Sequence, residues 1–162
     1  MNKTVNPIPE GFHSVTAYLT VKDAAQAIEF YKRAFGAQER FRMTLPDGKS
    51  IGHAEITIGD SIVMLADEFP GCSQSPQALQ GTSVGLVIYL SDVDGAFQRA
   101  LDAGATVKQP LENKFYGDRA GTVLDPFGHQ WSLMMHIEDV EPEELQRRMK
   151  AEFEKMSGKK NG

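Results

Sequence analysis

The chain has 162 residues, 41% hydrophobic and 24% charged, the balance of a folded globular protein rather than a disordered, collagenous or coiled-coil chain. Seventeen Lys and Arg against twenty-two Asp and Glu give a net charge of −5 with the basic residues scattered, so neither nucleic acid nor an anionic membrane surface is an expected partner. The apolar runs Val84–Leu90 and Ile62–Ala66 are far shorter than the ~20 residues of a membrane span, Met1–Glu10 lacks a signal-peptide layout, and a lone Cys72 excludes an intrachain disulfide, so a cytoplasmic location is expected.

The segment Val15–Val21 is rich in β-branched and aromatic residues and predicts a strand. A helix follows. Asp23 with Gln26 three residues on resembles a capping box, Ala24, Ala27, Ile28, Tyr31 and Phe35 recur at helical spacing, and Gly36 supplies the stop. Strands are expected over Gln38–Leu45, Ile51–Ile58 and Ser61–Ala66, separated by the turn formers Pro46-Asp47-Gly48 and Gly59-Asp60. The order is β-α-β-β-β. The stretch Phe69–Thr82, with Pro70, Gly71, Pro76 and Gly81, predicts a linker without an element of its own, long enough for modules to pair within a chain or between chains.

The same order then returns. It runs from strand Val84–Leu90 through a helix from the cap Asp92 to the stop Gly104, and on to strands near Thr106–Leu111, Arg119–Leu124 and Gln130–Met135. Phe97 and Ile28, Leu90 and Val21, and Gly128 and Gly59 each stand 69 residues apart. One domain over 1–162 is therefore expected, built of module one (12–68), the linker (69–82), module two (83–136) and a C-terminal helix (141–156). Leu145, Met149, Phe153 and Met156 line one face of that helix, and the Ser157–Gly162 tail is expected to be disordered.

The tandem repeat with Asp125-Pro126-Phe127-Gly128-His129 before its last strand resembles the vicinal oxygen chelate superfamily, which includes glyoxalase I, extradiol dioxygenases and bleomycin-resistance proteins. Ala27-Ile28-Glu29-Phe30-Tyr31, Phe35-Gly36-Ala37, Gly117-Asp118-Arg119 and Glu138-Asp139-Val140 follow one another as in its PhnB-like branch, a label that carries no phosphonate chemistry here. The resemblance implies an α+β fold in which tandem βαβββ modules curl into a half-open, barrel-like cup, and it implies a homodimer. It does not fix a reaction, because the scaffold serves metal enzymes and metal-free binding proteins alike.

In the metal-dependent relatives, ligands come from the first and last strand of each module. Carried over at the 69-residue offset, those positions are Thr16, Val63, Gly85 and Ser132, none of them a usual donor to a divalent first-row metal. The expectation is no cofactor. The polar pair His53 and Glu55, two apart on one strand, projects to one face while Ala54, Ile56 and Ile58 project to the other. It can orient a ligand, relay a proton or offer two metal donors.

Alternation from the same anchors turns Thr16, Tyr18, Val63, Leu65, Val87, Tyr89, Gln130, Ser132 and Met134 into the cup, a mostly apolar wall with a few orienting groups. Trp131 points instead to the helix-packed side, and His13, His129 and His136 lack ligand spacing. Arg119, beside Gly117 and Asp118, either swings over the cup mouth to a carboxylate or phosphate group or fixes its own loop through Asp118 or Asp125. The expected ligand-binding set is Thr16, Tyr18, His53, Glu55, Tyr89, Arg119, Gln130 and Ser132, with no catalytic residue assigned. The function expected is a metal-independent protein that holds an aromatic or amphipathic small molecule in a dimeric cup, as bleomycin-resistance proteins do. The alternative is a glyoxalase- or dioxygenase-like metal enzyme with a site displaced to His53 and Glu55, and a third possibility is an assembly module docking through the C-terminal helix.

Overall fold

In a computed structural model describing residues 5–158, the elements are β1 (Ala17–Val21), α1 (Ala24–Phe35), β2 (Gln38–Thr44), β3 (Ile51–Ile58), β4 (Ser61–Asp67), α2 (Pro76–Leu79), β5 (Gly85–Tyr89), α3 (Val93–Ala103), β6 (Thr106–Asn113), β7 (Asp118–Leu124), β8 (Gln130–His136) and α4 (Pro142–Gly158). The strands form two open four-stranded sheets, ordered β1-β4-β3-β2 and β5-β8-β7-β6. Within each sheet the first and last strands of the module lie parallel and the other neighbours antiparallel. The tandem βαβββ reading therefore holds at every repeated element.

Local chemistry explains the helices. The Asp23 carboxylate accepts from Gln26 N at 2.9 Å and from the Gln26 side chain at 2.8 Å, and Gly36 closes α1 at φ +67°. Asp92 accepts from Gly95 N at 2.9 Å, and Gly104 closes α3 at φ +115°. The linker is a correction. It contains the one-turn helix α2, capped by Ser75, whose hydroxyl accepts from Ala78 N, with Pro76 at the first helical position where its missing N–H costs nothing. The C-terminal helix runs on through Gly158, so Ser157 and Gly158 are not part of a disordered tail. Residues 1–4 and 159–162, and the expectations that concern them, lie outside the described residues.

One face of each sheet packs on the helices and feeds a common core. Leu19, Val21, Ala54, Ile56, Val63 and Leu65 from the first sheet join Val123, Trp131 and Leu133 from the second, with Ile28, Tyr31 and Phe97 from the helices. The aromatic centre crosses the modules, with Tyr31 and Phe35 of α1 at 5.3 and 4.9 Å from the Trp131 ring. Asp125, fully enclosed in the turn before β8, holds this junction. Its carboxylate accepts from Tyr31 Oη (2.7 Å), Trp131 Nε1 (2.9 Å) and the backbone N–H groups of Phe127 and His129 (2.9 Å each). Burial, reinforced by that carboxylate, pushes the Tyr31 phenol well above its ordinary pKa, so it stays a donor. Among the described residues, no helix is long and apolar enough to cross a membrane.

Candidate functional site

Residues paired across strands share a face, so each sheet's second, open face can be read from its register. On the first sheet, Tyr18 lies opposite Met64, Met64 opposite Glu55, Glu55 opposite Phe41, and His53 opposite Met43. A bulge at Arg40 lets Phe41 and Met43 reach this face while Glu39 and Arg42 pair on the other. The Tyr18 hydroxyl meets His53 Nδ1 at 3.1 Å with the rings 5.6 Å apart, and His53 Nε2 stands 3.6 Å from Glu55 Oε1. Phe41 adds a second ring 6.4 Å from the imidazole, and the Arg40 guanidinium sits 4.0 Å from Glu55 and 5.5 Å above the Phe12 ring. A hollow of about 700 Å³ opens at one end, between Tyr18, Thr20, Gly52, Ala66, Phe69 and Cys72. Aromatic and thioether surface thus surrounds a phenol hydrogen-bonded to an imidazole, with a carboxylate 3.6 Å from the ring's other nitrogen.

On the second sheet the open face carries Gly85, Val87 and Tyr89 from β5 and Gln130, Ser132, Met134 and His136 from β8. Asp118, opposite His136, turns inward with them. Its carboxylate accepts from Tyr89 Oη at 2.9 Å and meets His136 Nδ1 at 2.8 Å, while His136 Nε2 reaches Asp139 at 2.9 Å. Hydrogen bonds to Asp139 and then Asp118 raise the His136 pKa, favouring the imidazolium, and the bond to Asp118 raises that of Tyr89, keeping its phenol protonated. Thr122 and Ser132 share a hydroxyl–hydroxyl bond of 2.9 Å.

The structure departs from the sequence-based set at three points. Arg119 lies on the helix face, where its Nε donates to Asp94 Oδ2 at 2.8 Å and its Nη1 to Asn113 Oδ1 at 3.1 Å; it binds neither Asp118 nor Asp125 and does not reach over an open face. Val63 and Leu65 are core residues of the helix face, and Met64 takes the open-face position. The cause is a one-residue difference between the modules: Tyr18 pairs with Met64, 46 positions on, whereas Val87 pairs with Ser132, 45 positions on, so module two is one residue shorter between its first and last strands. A one-residue slip exchanges faces. Last, Tyr18, His53 and Glu55 gather on one sheet and Tyr89, Gln130 and Ser132 on the other, while Thr16 is half-buried just before β1; no hydrogen bond or ring contact joins the two groups among the described residues.

Phe41, Met43, Met64, Thr122, Asp118 and His136 were missed. Alternation from Ser132 through its partner Thr122 places Asp118 inward, a signal the sequence held. The bulge that turns Phe41 inward had none. Gly117 is explained by backbone approach: at φ +96°, a Cβ there would lie 2.2 Å from Glu138 O, and Gly117 O accepts from Ile137 N and Glu138 N.

A metal would need three or four converging donors. Among the described residues no three His, Cys, Asp or Glu side chains are placed to hold an ion, and the open-face positions on the first and last strands of the two modules offer Tyr18, Met64, Val87 and Ser132, which do not fit a divalent centre.

A family model described as Glyoxalase/Bleomycin resistance protein/Dioxygenase superfamily matches residues 11–133. An uncharacterized protein of Mycobacterium tuberculosis, Rv0887c, is 46% identical over 143 residues, covering 86% of this chain and 84% of that protein. Among solved structures, TioX from Micromonospora sp. ML1 is similar at 30% identity and a TM-score of 0.62, covering 78% of this chain and all of that one. The PhnB protein from Bacillus cereus shares the fold at 18% identity and a TM-score of 0.60, with 76% and 99% covered.

Proposed function

This chain belongs to the glyoxalase/bleomycin resistance protein/dioxygenase superfamily, and on that premise we propose that it is a metal-independent protein that binds an aromatic or amphipathic small molecule. The observation that carries the reading is the first sheet's open face, where Tyr18, Phe41, Met43 and Met64 surround the His53–Glu55 pair. Apolar walls with a few orienting polar groups are how small-molecule sites are built. Tyr18 and Phe41 stack on a ligand ring, and the Tyr18–His53–Glu55 line orients a polar substituent. With Arg119 turned away, an anionic group on the ligand is not a requirement.

The cup is closed by a second copy. Phe41, Met43, Tyr18, Val87 and Tyr89 each leave half or more of their surface open, more apolar exposure than a monomer of this size usually tolerates. A homodimer that sets the second sheet of one copy over the first sheet of another unites the two half-sites into one cavity.

A thermal-shift screen of aromatic and amphipathic small molecules, run with and without divalent metals, tests the proposal. A hit whose shift needs no metal and weakens in Tyr18→Ala protein is the expected outcome. Stoichiometric metal that survives dialysis and is lost in His53→Ala protein would overturn the metal-independent reading and favour the displaced-site enzyme.

A further inference from the structure

We infer that the cleft between the two modules, on their core side, is a second small-molecule site, one that takes an uncharged aromatic alcohol. It is separate from the open face of the first sheet, and the inference does not rest on what binds there. The cleft holds about 710 Å³, with the free edge of β5, the β3–β4 turn and the C-terminal end of α1 as walls and Trp131 as its floor. A difference between the modules creates it. Helix α1 packs on β1, β3 and β4, whereas α3 packs on β6, β7 and β8 and leaves β5 without comparable cover. Ile88 and Leu90 are therefore half-buried, while Leu19 and Val21, 69 positions earlier in the repeat, are 5% and 0% exposed.

Size and lining select the occupant. Small-molecule pockets run to about 300–1,000 Å³ and are mostly apolar, whereas two turns of an α-helix fill roughly 850 Å³, so the cleft suits a small molecule and not a docked helix. Val63, Leu86, Ile88 and Leu90 line it together with Phe35 and Trp131, whose rings stand 4.9 Å apart and favour a flat ring beside them. The polar side chains around it are already engaged. Trp131 Nε1 donates to Asp125, Tyr89 Oη to Asp118 and Ser61 Oγ to Asp60 Oδ1. Among the described residues that leaves the second oxygen of Asp60, at the mouth, as the side-chain acceptor for a ligand, and no Lys, Arg or His lines the cleft. A ligand hydroxyl is matched by that oxygen. An anionic group is not, because it would lose its hydration beside a carboxylate with no cation in reach, and an ammonium would lose more hydration than one exposed carboxylate returns.

Trp131 is the only tryptophan in the chain, so its fluorescence reports on the floor of the cleft. Para-bromobenzyl alcohol and para-bromobenzoate share a ring and a heavy-atom quencher and differ in the charge of one group. In the full-length protein the alcohol is expected to quench Trp131 saturably, with a Kd at least tenfold below that of the benzoate. Ile88→Phe, which fills the cleft, weakens the alcohol at least several-fold. Asp60→Asn, in an exposed turn away from the core, narrows the gap between the two probes and reads the same site if the filled variant does not fold. Tyr18→Ala, on the open face, changes neither probe. Quenching that never saturates overturns the inference, as does benzoate binding as tightly as alcohol. So does alcohol binding that survives Ile88→Phe unchanged or is lost in Tyr18→Ala, since either places the probe outside the cleft.

Discussion

Module one and module two share their order of strands and helices, yet they place their polar groups differently. Module one leaves its distinctive ones, Tyr18, His53 and Glu55, on the open face of a sheet where a ligand can reach them. Module two encloses its carboxylates: Asp125 satisfies four donors beneath the aromatic junction, and Asp118 is held between Tyr89 and His136. The two modules thus share a backbone architecture while differing in where their polar groups lie, one presenting them on an open face and the other enclosing them against neighbours. Substitutions in module two should accordingly register as stability, and those in module one as affinity.

The largest effect is expected from Asp125→Ala. Removing one carboxylate strands the Tyr31 hydroxyl, the Trp131 indole N–H and two backbone N–H groups in the core, a loss on the order of 3 kcal/mol that urea unfolding would report. A change below about 1 kcal/mol would mean that water replaces the carboxylate and that the junction does not depend on it. Next comes Gly117→Ala, where the added methyl meets Glu138 O and the positive φ is strained; roughly 2 kcal/mol is expected, again by denaturant unfolding. No loss would show that the strap to α4 is free to shift.

Smaller effects sharpen the affinity side. Tyr18→Ala should weaken a screened aromatic ligand several-fold, the ~1 kcal/mol of one ring contact, while Arg119→Ala, on the helix face, leaves the affinity unchanged. Isothermal titration of both variants decides this, and equal losses would place the ligand elsewhere.

The smallest difference should appear in pH dependence, with opposite signs in the two modules. In module one, hydrogen bonds from Arg42 and then Lys32 lower the Glu39 pKa from 4.5 to about 2, so its contribution is complete above pH 4.5 and is lost as pH falls toward 2. In module two the His136 pKa is raised, so its contribution is complete below pH 6.5 and fades as pH rises through the folded value. Stability profiles of Glu39→Gln and His136→Gln should flatten on the acid and alkaline sides respectively. A His136→Gln profile that keeps its alkaline slope would remove the imidazolium from the account.

Much of this molecule is legible in its sequence because the signals are local. The caps Asp23 and Asp92, the stops Gly36 and Gly104, and the apolar spacing of α1 and α3 fix the helices within one turn of chain. Alternation along β3 alone places His53 and Glu55 together, and alternation along β8 sends Trp131 to the core. These readings needed no knowledge of what lies across the sheet.

The faces of β4 and β7 depended on what lies across it. Equating Val63 with Ser132 assumed modules of equal length, but module two is one residue shorter between its first and last strands, which makes Met64 the counterpart, and because side chains alternate, one residue exchanges core for open face. Arg119 was misplaced for a related reason: its glycine and acidic neighbours suggest a mobile loop, while pairing with Met135 fixes it toward α3 and Asp94. Asp125 reads as a turn residue, and only the packing of α1 against module two brings Tyr31, ninety-four positions away, within 2.7 Å of its carboxylate. Periodicity and capping are properties of a few consecutive residues and survive in the sequence. Strand register and the contacts of a shared core are set by pairings between distant segments, so only the tertiary structure could decide them.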